Sequence, residues 1–177
     1  MAHVQGRFAL ALLLLIGLSS PAVACGIVYG SDWAFLSDDP AGWDSACGDQ
    51  SLDGTAITLW PAKQGLSKAS AIIYVTVSNK DPAGLKAFAK DEQARFKKSS
   101  PLSRVSVVPT PAKAGKYSYV LARFNNAPGK REELVAYLEG PTANFVLVLS
   151  ADSVAEFNAY EPAFLKYVAR FVPMTRK

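Results

Sequence analysis

Apolar and polar positions along the chain fall into blocks of different period, and the periods predict the elements. The longest β-branched run, Ile72, Ile73, Tyr74, Val75 and Val77, lies in a strand predicted at 71–78 and long enough to be buried. A strand predicted at 56–60, ended by Pro61, precedes it. The period then changes: Leu85, Phe88, Ala89 and Phe96 share one helical stripe, while Lys86, Lys90, Asp91, Gln93 and Lys97 fall on the opposite side. Asp81 as a cap and Pro82 at the first position predict a helix over 82–98, stopped by Ser99-Ser100-Pro101. Glu92 interrupts the apolar side, and Arg95 three residues on predicts a local ion pair. Beyond a strand at Arg104–Val108 and a loop at 109–116, three runs at 117–124, 132–139 and 143–150 are joined by Asn125-Asn126-Ala127-Pro128-Gly129 and by Gly140-Pro141. Together they predict an antiparallel meander. Phe157, Tyr160, Phe164, Leu165, Val168 and Phe171 mark one face of a last helical segment over 152–171, which Pro162 is expected to break or kink.

Strands in runs, with one helix before and one after the meander, predict an α+β fold: a central antiparallel sheet over 71–150 with helices packed on it. This order, together with Gly42-Trp43, Pro61, Ile72-Ile73-Tyr74-Val75, Val135-Ala136-Tyr137 and Pro162-Ala163-Phe164, resembles small exported bacterial proteins of the PsbP/DcrB-like α/β/α sandwich type. The resemblance spans most of the chain after the leader and rests on scattered hydrophobic positions. It implies an accessory or partner-binding role and carries over no catalytic residue, because function resides in sites and not in folds.

The N-terminus changes the picture from fold to address. Arg7 precedes an apolar stretch over 8–18, and Ala22-Val23-Ala24 fits a small-x-small cleavage site, so residues 1–24 read as a secretory leader. Eleven apolar residues span about 16 Å, against a hydrocarbon core of about 30 Å, too short for a membrane anchor. The expected location is the periplasm or the exterior. Cys25 follows the cleavage site, and two fates compete for it. Ala22-Val23-Ala24-Cys25 is a weak lipobox, which would make Cys25 a lipid anchor and bring the protein to a membrane. Cys25 and Cys47 are also an even pair in an exported chain, where oxidation to a disulfide is the expected outcome.

Charge divides what remains. Residues 25–62 form an acidic, loop-rich part holding Asp32, Asp38, Asp39, Asp44, Asp49 and Asp53 without a single Lys or Arg, and only two short strands, Ile27–Tyr29 and Trp33–Leu36, fit within it. Residues 63–177, the main sheet and helices of the same single domain, carry 18 basic and nine acidic side chains. Complementary surfaces of this kind steer association with a protein partner. The loop residues Asp38, Asp39, Trp43 and Asp44 are the expected partner-binding surface, the partner an envelope protein. Nucleic acid is a poor candidate, since no known nucleic-acid-binding module is present.

Candidate chemistry is sparse. The only histidine is His3, inside the leader, so imidazole acid–base and triad mechanisms are excluded from the mature chain. Neither G-x-S-x-G nor S-x-x-K occurs, and no catalytic residue, cofactor or metal is expected. Asp49-Gln50-Ser51-Leu52-Asp53-Gly54 matches the first half of a calcium loop, but Trp60 stands at its twelfth position, where a bidentate carboxylate belongs. Glu132 and Glu133 are adjacent in a predicted strand and so point to opposite faces. Two classes stay open: a non-catalytic accessory protein, including an inhibitor or immunity-type protein, and a carboxylate-dependent hydrolase of the envelope.

Overall fold

The computed structural model describes residues 25–109, 113–114 and 117–176; the leader expected at 1–24 and part of the 109–116 loop lie outside them. Eleven strands are described: β1 (Ile27–Tyr29), β2 (Trp33–Leu36), β3 (Trp43–Cys47), β4 (Ile57–Pro61), β5 (Ala71–Asn79), β6 (Arg104–Val108), β7 (Lys113–Ala114), β8 (Tyr117–Ala127), β9 (Arg131–Glu139), β10 (Ala143–Ala151) and β11 (Val172–Thr175). Two α-helices accompany them, α1 (Leu85–Ser99) and α2 (Val154–Arg170). All strand pairs are antiparallel. The large sheet runs β3-β4-β5-β10-β9-β8-β6, with β7 on β8, and a small sheet runs β1-β2-β11. The molecule is thus mixed α+β, dominated by an antiparallel sheet that extends past the expected 71–150 core to take in β3 and β4.

Period-2 alternation divides the central strands between two apolar surfaces. Ile73, Val75, Leu134, Ala136, Leu138, Phe145, Leu147 and Leu149 pack with Phe157, Phe164, Tyr167 and Val168 of α2. Their sequence neighbours Tyr74, Val135, Tyr137, Val146 and Val148 pack with Phe88, Ala89 and Phe96 of α1. Central strands covered on both sides must be apolar at nearly every position, which is why β5, β9 and β10 read as continuous hydrophobic runs.

Four details differ from the sequence expectation. Residues 43–47, assigned to a loop, form β3, whose five residues pair in register with β4 from Trp43↔Pro61 to Cys47↔Ile57. The chain after Arg170 turns back at Phe171 and forms β11, pairing Val172↔Leu36 through Thr175↔Trp33. Pro162 neither breaks nor splits α2: it lies on the exposed side, where the carbonyl left without a donor is open to water. Helix α1 begins at Leu85 and not at Pro82; Asp81 Oδ1 accepts from the Ala83 amide in a turn, and Gly84, at φ +83°, is the N-cap. Among the described residues no helix is long and apolar enough to cross a membrane.

The small sheet is fastened to the body by aromatic rings. Phe35 of β2 lies 4.8 Å from Phe171 and 5.9 Å from Phe145, with Trp33 stacked beside it at 6.0 Å. Gly140, in the turn before β10, sits so close under this cluster that a Cβ there would lie 2.5 Å from Phe145 and 3.0 Å from Pro173.

Candidate functional site

The cysteines expected to pair are joined: Cys25, just before β1, is bonded to Cys47 at the end of β3, with Cα atoms 6.4 Å apart. The bond ties the start of the small sheet to the edge of the large one. A sulfur engaged here has no valence left for a lipid thioether, so the two fates of Cys25 exclude each other chemically.

The acidic residues of the expected partner surface are distributed among different tasks. Asp39 turns inward, accepting from Ser45 Oγ at 2.6 Å and from Ser37 Oγ at 2.8 Å; Ser37 in turn shares a 3.1 Å hydrogen bond with the buried Tyr167 hydroxyl. Burial pushes the Tyr167 phenol far above its usual range, with the Ser37 hydrogen bond pulling the other way and the Asp39 charge adding to the rise. Asp38 is exposed and pairs with Arg170 at 2.7 Å. Trp43 is half-buried, its ring edge-to-face with Tyr160 of α2 at 5.3 Å, and Asp44 is half-buried opposite Trp60. Asp38 and Asp39 thus sit near the C-terminal end of α2, while Trp43 and Asp44 belong to the β3 edge.

A second surface, invisible to period-2 reading, lies on the outer face of the small sheet. Ile27, Leu36 and Val172 form one row of register partners across it, and Tyr29, Ala34 and Met174 form the next. Ile27 is 44% exposed, Tyr29 60% and Leu36 38%, while Val172 and Met174 are half-buried. The opposite face, Val28, Phe35 and Pro173, is buried in the core. This three-stranded sheet is therefore apolar on both sides, although an antiparallel sheet with one face in water ordinarily makes that face polar. Charged groups ring it: the Asp38–Arg170 pair stands past the Leu36 end, and Arg176, donating to the Gly30 carbonyl at 2.7 Å, stands with Asp32 at the other. An apolar centre with a polar rim is the anatomy of a protein interface.

The two adjacent glutamates leave β9 on opposite faces. Glu132 is buried on the α2 side, accepting from Asn125 Nδ2 and Arg123 Nη2, while the Arg123 guanidinium lies 4.1 Å from the centre of the Phe157 ring. Glu133 faces the α1 side and accepts from Ser150 Oγ at 2.9 Å. Burial pushes its carboxyl above the ordinary range, against the Ser150 hydrogen bond and the Arg131 charge, which pull it down. A sheet separates the two carboxyl groups, so they do not act as a pair on one bond.

Comparison with protein-family models and with curated proteins returns no match. Among solved structures, the chain is similar to the solution structure of cyanobacterial PsbP (CyanoP) from Synechocystis sp. PCC 6803, at 14% identity and a TM-score of 0.52 over 88% of this chain and 97% of that one. At that identity the likeness speaks of architecture alone, and it supports the resemblance drawn from the order of elements: the chain has a PsbP-like fold.

Proposed function

We propose that the protein is a non-catalytic accessory protein of the PsbP-like α/β/α sandwich type, acting outside the cytoplasm, that docks an envelope protein through the outer face of its small sheet. The observation that carries this reading is the patch of exposed apolar side chains Ile27, Tyr29 and Leu36 over two neighbouring rows, backed by Val172 and Met174. Contiguous apolar surface of this kind costs solubility unless a partner covers it. Tyr29 is the natural anchor, a large amphipathic ring of the type enriched at binding hot spots. Asp38, Arg170 and Arg176 supply the rim that sets orientation and encounter rate. The Cys25–Cys47 bond supports an oxidising compartment, and its use of Cys25 Sγ favours a free protein over a lipid-anchored one.

The test is affinity purification from envelope extract with four proteins: wild type, Tyr29→Asp, Leu36→Asp, and Val154→Asp as a control at an exposed apolar residue of α2. Wild type and Val154→Asp recover the same partner, and the two face variants lose it. Equal recovery by all four proteins would overturn the assignment of the face. Loss accompanied by a change in the protein's own oligomeric state on sizing would instead identify the partner as a second copy.

A further inference from the structure

A cavity of about 350 Å³ lies between α1 and the large sheet, on the side opposite α2. Its walls are unusual for a space under a helix. Phe96 and Phe124, edge-to-face at 4.5 Å, close the apolar part. Tyr74 of β5, Tyr137 and Glu133 of β9, and Glu92 of α1 supply the polar part. Tyr137 is 3% exposed and Tyr74 half-buried; among the described residues no group hydrogen-bonds either hydroxyl, and neither belongs to the buried polar atoms cut off from water. Both hydroxyls lie in the field of the carboxylates: Glu133 raises the phenol of Tyr74, and Glu92 with Glu133 raises that of Tyr137, each on top of the larger effect of burial.

Of the neighbouring cations, Arg131 pulls the Glu133 carboxyl and the Tyr74 phenol down through its charge, while its Nη2 is anchored away from the cavity. Arg131 Nη2 reaches Asp152 at 3.1 Å and the Ser150 carbonyl at 3.3 Å. Arg95 pairs with Glu92 at 2.8 Å from an exposed position. What the cavity presents, therefore, is a half-buried carboxylate, two phenolic oxygens free to accept, and aromatic walls. A primary ammonium group has three N–H donors and no acceptor, which matches that count of acceptors. Its charge-assisted bond to a half-buried carboxylate is stronger than a neutral one, and aromatic faces attract a cation.

We propose that this cavity binds a small primary amine carrying an apolar or aromatic body, with the ammonium held by Glu133, Tyr74 and Tyr137 and the body against Phe96 and Phe124. The volume lies within the range of small-molecule sites, about 300–1,000 Å³. This site is separate from the docking face, so either assignment stands or falls without the other.

The probe pair is 2-phenylethylamine and its neutral counterpart 2-phenylethanol, titrated into the mature protein by calorimetry. The amine binds with one site, at least about tenfold tighter than the alcohol. Glu133→Gln removes that preference while leaving alcohol binding in place, which shows that the variant is folded and its cavity intact. Tyr137→Phe, which keeps the ring and deletes the acceptor, weakens the amine alone. Val148→Phe, filling the space, abolishes both ligands. No saturable binding of the amine, equal affinities for amine and alcohol, or an unchanged preference in both Glu133→Gln and Tyr137→Phe would each overturn the proposal.

Discussion

At the residue scale, side chains that meet a constraint from their surroundings give the sharpest expectations. Gly140 is one. Its Cβ position is already occupied by Phe145 and Pro173, so Gly140→Ala forces the aromatic cluster to shift and lowers stability by about 1–3 kcal/mol in urea unfolding. Glu133 is another. Because burial raises its folded carboxyl above the value in the unfolded chain, the native state holds its proton to higher pH than the unfolded one does. Its contribution to stability is therefore most favourable below the ordinary carboxyl range, roughly pH 4, and declines as pH rises through the raised value. Glu133→Gln removes that decline, so urea midpoints of wild type and variant diverge between pH 4 and neutrality with the variant the more stable. A wild type that gains on the variant over that interval would contradict the burial of the charge. That Glu132 and Glu133 part to opposite faces was legible from strand period alone; that Asp39 turns inward to Ser37 and Ser45 was not, because a run of loop aspartates says nothing of which one meets the Ser45 hydroxyl that β3 brings in.

At the scale of elements, legibility followed length and composition. β5, α1 and the β8–β9–β10 meander carry enough repeats of one period to be recognised alone. β3, with the sequence Trp-Asp-Ser-Ala-Cys, has one β-favouring residue in five and is a strand because β4 offers it an edge. β11 has four residues, one of them Pro173, and its pairing with β2 across the whole length of the chain leaves no local signal. The exposed apolar face of the small sheet, assembled from β1, β2 and β11, was hidden for the same reason. Pro162 gives the element-scale prediction. It interrupts the hydrogen-bond ladder of a 17-residue helix on the exposed side, so Pro162→Ala restores a bond without touching the core. Stability rises by about 1–3 kcal/mol, read as an increased urea midpoint at unchanged slope. A fall would mean that Pro162 itself is required for α2 to follow the sheet.

At the scale of the whole molecule, the Cys25–Cys47 bond closes a segment of sequence separation 22 and joins the two sheets. The mature oxidised protein should be lighter by two hydrogens than its reduced form in intact-mass analysis, with no acyl group on Cys25. Relative to the oxidised protein, the Cys25→Ala/Cys47→Ala double variant should lose about 3 kcal/mol on the chain-entropy estimate. An unchanged unfolding midpoint would show that the rings of Phe35, Phe145 and Phe171 hold the small sheet without help. The placement of the chain ends has a mechanical meaning as well. β1 and β11 flank β2 and run parallel to each other, so the N-terminal side of β1 leaves at the Leu36 end of the small sheet and the C-terminal side of β11 leaves at the Trp33 end. Tension between the two ends therefore pulls β1 and β11 lengthwise past β2, in shear, loading their hydrogen bonds together instead of unzipping them singly. The disulfide adds a second force path, since a load entering at Cys25 crosses to β3 in the large sheet and spares β1. Stretched singly, the reduced protein should yield first at β1 and reach a contour longer by the released 22-residue segment, roughly 70 Å at about 3.3–3.6 Å per residue.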